Sequence, residues 1–297
     1  MKIQTFLRRN AGVWLVLPSF LLILLFVYFF IAYTGWTSLT DLNQLQMEPG
    51  KFIGTINYSE LLQNPRFQID IRNTVIFSLI FIPGCLIIGL GSALLIQSGI
   101  KGEGLFRTIY LAPMAISFIV TGVVWRWLMN PSAGLNDLFA ATGLGFLQNV
   151  WYTSPTLGIA AIALPAIWQL SGYTMALYLA GLRAIPKDLY EAAAVDGAGG
   201  FYAFRRITFP LLVPVTLSAI IILGHISLKV FDLVVAIAGM GGGPGFSADV
   251  PATFMFQTTF QANRFAEGSA ISILLLMVVS LLVIPYLYFS LRQEGQR

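Results

Sequence analysis

The stretch Leu182–Pro214, LRAIPKDLYEAAAVDGAGGFYAFRRITFPLLVP, places seven charged residues, Arg183, Lys187, Asp188, Glu191, Asp196, Arg205 and Arg206, between two long apolar runs. Pro186 suits a first helical turn, where its missing amide is no loss, and Asp188 suits the positive end of the helix dipole. A short helix is predicted through Leu189, Tyr190 and Ala192–Ala194, broken by the GAGG that ends at Gly200. FYAFRRI then forms a second short helix leading to Pro210. The island is a helix-turn-helix where the chain leaves an apolar medium and returns to it.

That medium is a bilayer. Of the 297 residues, 57% are hydrophobic and only 10% charged, with a mean hydropathy of +0.79, whereas soluble domains carry roughly a quarter charged residues. From Asn10 to Thr40 there is no Asp, Glu, Lys or Arg, which is longer than the roughly 20 residues a spanning helix needs. The run also exceeds the roughly 7–15-residue apolar region of a signal peptide and lacks a small-x-small cleavage site, so it reads as a retained span. Further spans are predicted at Asn73–Gln97, Leu105–Trp127, Thr156–Leu182, Pro210–Gly239 and Gly268–Ser290, giving an all-α membrane protein of six transmembrane helices. Pro18, Pro83, Pro113, Pro165, Pro214 and Pro285 fall inside spans and predict a kinked, mutually packed bundle.

Six spans put both termini on one side. Lys2, Arg8, Arg9, Lys101, Arg107, Arg183, Lys187, Arg205, Arg206, Arg292 and Arg297 share that side, against Lys51, Arg66, Arg72, Arg126 and Arg264 on the other. The positive-inside rule makes it cytoplasmic. Trp36, Trp125, Trp127 and Trp151 lie near predicted outer helix ends, and Trp14 marks an inner one. The net charge of +4 therefore implies no nucleic acid. Cys85, the only cysteine, lies in an apolar run and reads as packing; neither it nor the single histidine suggests a metal site.

The island has two physical readings. Three consecutive alanines and Gly197 allow another surface close to the backbone, with Glu191 and Asp196 offering charged hydrogen-bond acceptors at the rim, so it could enter a groove. It could equally rest on lipid headgroups, Arg205 and Arg206 snorkelling. A resemblance favours the first. Glu191-Ala192-Ala193, three residues, Gly197, nine residues, Ile207, one residue and Phe209-Pro210 resemble the EAA loop of permeases of ATP-binding cassette importers, with Phe209 where Leu is usual. IWQLSGYTMALYLAGLRAIPKDLYEAA, FRRITFPLLVP, KVFDLV, GGGP and GSAISILLLM are similar to carbohydrate permeases related to the maltose and glycerol-phosphate systems.

The resemblance implies a type I importer permease bundle with a cytoplasmic coupling helix. It divides into an N-terminal helix and extracytoplasmic loop, 1–72, and a five-helix core, 73–297, containing the EAA loop at about 184–209. It implies an inner-membrane complex with a second homologous permease, two ATPase subunits and an extracytoplasmic solute-binding protein. Glu191, Ala192, Ala193, Asp196, Gly197, Ile207 and Pro210 would couple to the ATPases. ATP and Mg would be used there and not by this chain, which has no G-x-x-x-x-G-K-[ST] phosphate loop.

Polar residues inside spans mark paths or internal packing. His225, Lys229 and Asp232 are spaced four and three apart, on one face of a continuous helix. They either line a sugar path or form a Lys229–Asp232 ion pair with His225 bonded to a carbonyl. Trp168, Gln169 and Tyr173 could stack on a pyranose and bond its hydroxyls, or simply pack. Gly241, Gly242, Gly243 and Pro244 would form an outer gate, a contact for the binding protein, or a flexible connection. SLKVFDLV and ADVPATFMFQTTF look most like permeases for glucose or similar hexoses. The rival reading is a secondary transporter driven by an ion gradient, which typically shows internal repeats; none is visible.

Overall fold

The computed structural model describes residues 11–42 and 50–294. Lys2, Arg8, Arg9 and Arg297, which entered the charge count, lie outside the described residues, as do the side chains of Trp14 and Arg292. The described residues fall into two compact units, one drawn from Met1–Gln63 and Met255–Leu274, the other from Asn64–Phe254 and Leu275–Arg297. All regular structure among them is helical apart from one isolated antiparallel bridge, Thr40 to Phe52.

In the first unit, α1 runs from Ala11–Ile23 through a π-helical segment, Leu24–Phe29, into Phe30–Thr37. Its exposed aliphatic and aromatic side chains suit lipid. The short α2, Ile56–Gln63, is tied to the end of α1 by Asn57, whose Nδ2 donates to the carbonyls of Ser38 and Thr40 at 2.8 Å each.

The second unit is organised around two long helices, α3 (Pro65–Gln97) and α7 (Gly158–Arg183). α3 begins eight residues before the predicted Asn73, because Asn64 caps it, accepting from Arg66 N–H at 2.9 Å, with Pro65 at the first helical position. The helices meet along a seam of small residues. Gly84 packs on Ile167 and Gly89 on Thr174 and the backbone of Met175, while Thr174 Oγ1 donates to Cys85 O at 2.7 Å. Close approach of this kind is what holds helices together where lipid offers no hydrophobic gain. Cys85 is fully buried in that core.

The predicted third span is two helices, α4 (Glu103–Leu111) and α5 (Phe118–Leu128), bent by 99°. The turn between them, Ala112–Ala115, contains Pro113, and Ser117 starts α5 by accepting from Val120 N–H at 3.3 Å. The other five prolines predicted to kink spans lie within continuous helical runs. A small helix, α6 (Leu135–Ala141), follows. Among the described residues five helices are thus long and apolar enough to cross a membrane, or six where the bent pair counts as one span.

Beyond α7 come α8 (Lys187–Val195) and α9, which runs from Gly200 to Leu228 through a π-helical segment, Phe204–Thr208. The second short helix predicted within the island is therefore the first turns of the next span. The wide turn precedes Pro210, whose ring and missing amide would otherwise break the ladder. α9 stops at Leu228 and does not reach the predicted Gly239; α10 (Asp232–Ala238) is a separate helix. α10 packs on α5, Gly122 lying against Ala236. Pro251–Phe256 forms α11 and Phe265–Glu294 forms α12.

Gly89→Val should lower thermal stability in detergent by about 1–3 kcal/mol through overpacking against a backbone atom. Gly91→Ala, where nothing lies within 4 Å of the added carbon, should leave the midpoint unchanged, so equal losses in both variants would contradict the seam.

Candidate functional site

Three polar regions interrupt the apolar bundle: the charged island after α7, a cavity in the core of the second unit and a glycine loop after α10.

In the island, α8 ends in a Schellman motif. Gly197 N–H bonds Ala194 O at 3.1 Å and Ala198 N–H bonds Ala193 O at 2.9 Å, with Gly197 in the left-handed region at φ +76. Any side chain at 197 would carry strain, yet nothing lies within 4 Å of an added Cβ: the space beside the turn is open. Tyr190 Oη and Thr208 Oγ1, 3.0 Å apart, tie α8 to the π-helical segment of α9. Between them opens a concavity of about 600 Å³ whose walls include Ala192, Ala193, Asp196, Gly197 and Ile207. Thus the structure brings five of the seven predicted coupling residues to one surface. Glu191 and Pro210 are exposed outside it. Tyr202, another of its walls, is 58% exposed, and Val195 and Phe201 are 88% and 78% exposed, more apolar surface than a free polar loop would leave uncovered.

The cavity in the core holds about 260 Å³ and is walled by Phe77, Phe81, Phe118 and Ala166 with His225, Lys229 and Asp232. Those three polar residues do converge, but not as one helical face, because the chain breaks at Lys229–Phe231 and Asp232 opens α10. Lys229 Nζ lies 3.1 Å from His225 Nε2, and no Lys229–Asp232 ion pair forms among the described residues. Asp232 instead stands in the first turn of its own helix, where the dipole favours it. The expected carbonyl partner of His225 is also absent; Nδ1 is buried and unpartnered.

Trp168, Gln169 and Tyr173 are not walls of that cavity. Trp168 meets Trp125 edge to face at 6.0 Å, and Gln169 Nε2 donates to Ile116 O at 2.6 Å. Gln169 therefore supplies the hydrogen bond that the bend between α4 and α5 withholds. Among the described residues, no group of three or more His, Cys, Asp and Glu is placed to hold a metal ion.

The glycine loop is pinned. Gly239, Gly242, Gly243 and Gly245 all have positive φ, and Gly242 sits so close to Asp249 that a Cβ would overlap it. Asn73 Nδ2 donates to Phe246 O and Asp249 O at 2.8 and 2.9 Å. Ile159 N–H bonds Ser247 O at 3.0 Å. Gly241 and Pro244 remain exposed. This is a built turn tied to the first turns of α3 and α7, not the flexible connection that glycine content alone allowed. Sequence reasoning missed Arg66, Asp70, Asn73 and Asp249, which converge on it; the first three formed a polar stripe, at spacings of four and three, opening an apolar helix, and Asp249 carried no such signal.

A model of the family described as "binding-protein-dependent transport system inner membrane component" matches residues 85–293. A probable ABC transporter permease protein of Pyrococcus horikoshii is 41% identical over 94% of this chain and 95% of its own length. The xylose/arabinose import permease protein of Haloferax volcanii is 35% identical over 97% of this chain and 89% of its own. The fold matches a chain in the crystal structure of a bacterial ABC transporter involved in the import of the acidic polysaccharide alginate, with a TM-score of 0.80 over 98% of this chain and 99% of that one, at 23% identity. With five or six apolar helices, the built island and a family model covering most of its length, the chain belongs to the binding-protein-dependent transport system inner membrane components, the permeases of ATP-binding cassette transporters.

Proposed function

We propose that this chain is one of two related permeases of an ATP-driven sugar importer. It works with two ATPase subunits and an extracytoplasmic solute-binding protein, and both of its termini are cytoplasmic. The observation that carries the coupling role is the concavity at the end of α8, where Ala192, Ala193, Asp196, Gly197 and Ile207 face one open space beside exposed aromatic residues. A partner's surface can approach that backbone closely because the side chains are small. The chain itself carries out no hydrolysis; ATP and Mg act in the partner ATPases.

The cargo reading rests on the resemblance to carbohydrate permeases and on the import permease for xylose and arabinose. The aromatic-walled cavity with His225, Lys229 and Asp232 suits a neutral polyol: rings for the apolar faces of a sugar and polar groups for its hydroxyls. Glucose or a similar hexose fits the segments around Asp232 and Pro251. Transport proceeds by alternating access. Closure of the ATPases on ATP moves α8, and α9 carries that movement to the cavity. Coupling requires that the island bind the two ATPase states differently. Membership in this family does not favour a transporter driven by an ion gradient.

Gly197→Asp should leave the chain inserted and abundant, because space exists for the side chain, but abolish co-purification of the ATPase and sugar uptake in proteoliposomes. Normal uptake by this variant would refute the docking role. Asp232→Asn should keep expression near wild type, losing only a helix-dipole contribution of about 0.3–1 kcal/mol, while uptake per molecule falls; lost expression with unchanged specific uptake would make Asp232 structural.

A further inference from the structure

Arg66 and Asp70 lie one turn apart on α3, at the spacing that places two side chains on the same helical face. Arg66 nevertheless reaches off its own helix. Its Nε and Nη2 donate to Asp249 Oδ2 at 2.8 and 2.6 Å, and the rings of Phe246 and Phe254 flank the guanidinium at 4.5 and 4.6 Å. Asp249 is fully buried and also accepts from Thr253 Oγ1. Asp70 is equally buried, yet neither of its oxygens has a hydrogen-bond partner. Arg66 and Asp249 are the charged groups that act on it. Two buried carboxyl groups thus stand near one guanidinium, which pairs with Asp249 and leaves Asp70 without a hydrogen-bond partner.

We infer that Arg66 is a positioning residue of the transport cycle that exchanges between two partners. Paired with Asp249 it holds the 239–249 loop down on α3; when the loop lifts, it swings back one turn to Asp70. The contacts from Phe246 and Asp249 belong to that loop and leave with it, while that from Phe254 lies just beyond it in α11. Asp70 belongs to the same helix as Arg66, so it remains in reach throughout. Release then exchanges one ion pair for another and does not abandon one, which keeps the open and closed loop close in free energy, as a cycle visiting both requires. Asp249 keeps Thr253 and meets water at the lifted loop. The inference rests on the 239–249 loop being the outer gate of the importer proposed above.

The test uses the whole importer in lipid nanodiscs, with hydrogen exchange of loop peptides covering 239–250 followed by mass spectrometry and uptake measured in parallel proteoliposomes. Removing the waiting acceptor in Asp70→Asn should slow loop exchange and lower uptake, each by about tenfold or more. Asp70→Glu should restore exchange and uptake. Unchanged exchange and uptake in Asp70→Asn would overturn the inference. Wild type alone decides the matter if the variant does not assemble: loop protection should differ between the ATP-free complex and the complex trapped with ATP and vanadate, and equal protection in both rules the exchange out. A wild type that imports no sugar but shows this difference would overturn the cargo reading and leave the exchange standing.

Discussion

Every break in a helix at membrane depth must find hydrogen bonds within the protein, because no water is there to supply them. The second unit is arranged around that demand. Where α4 gives way to α5, Gln169 from α7 bonds the carbonyl of Ile116. Where the chain turns through the glycine loop, Asn73 from α3 bonds the carbonyls of Phe246 and Asp249, and the amide of Ile159 bonds that of Ser247. α3 and α7 can serve these distant breaks because their small-residue seam at Gly84 and Gly89 makes them a stiff pair. The polar residues of the long helices are thus largely committed to backbone. His225 of α9, with Lys229 in the break and Asp232 opening α10, instead lines the cavity.

Much of this was legible in the sequence. Hydropathy locates spans because a spanning helix must be apolar along its whole length, and the positions of five of the six followed. The end of α8 was legible for a local reason: GAGG after three alanines can only stop a helix, and Gly197 stops it in the one conformation a glycine adopts freely. The breaks at Ile116 and Lys229 were not legible. A hydropathy average over some twenty residues is blind to a bend inside an apolar run, and Pro113 read no differently from the five prolines that lie in unbroken helices. Lys229 and Asp232 looked paired because a continuous helix was assumed. The Arg66–Asp249 contact joins positions 183 residues apart, and no local pattern encodes such a partner.

The break at Lys229–Phe231 gives the proposed coupling its mechanical sense. α9 runs from Gly200, beside the island, to Leu228, at the wall of the cavity, about 40 Å at 1.5 Å per residue. The Tyr190–Thr208 contact fastens α8 to its first turns, so in the proposed coupling a displacement of the island would enter the helix directly. Had α9 continued to Gly239, the same tilt would have driven its last turns into α5. Because the chain breaks first, α10 stays packed on α5 through Gly122 and Ala236, and the three residues of the break absorb the change in backbone angles. Lys229 sits in that break while His225 moves with α9 and Asp232 with α10. Under the proposed coupling the polar lining of the cavity divides between a part that would follow the ATPases and a part that would not, so tilting α9 would change the spacing of the groups proposed to hold a substrate.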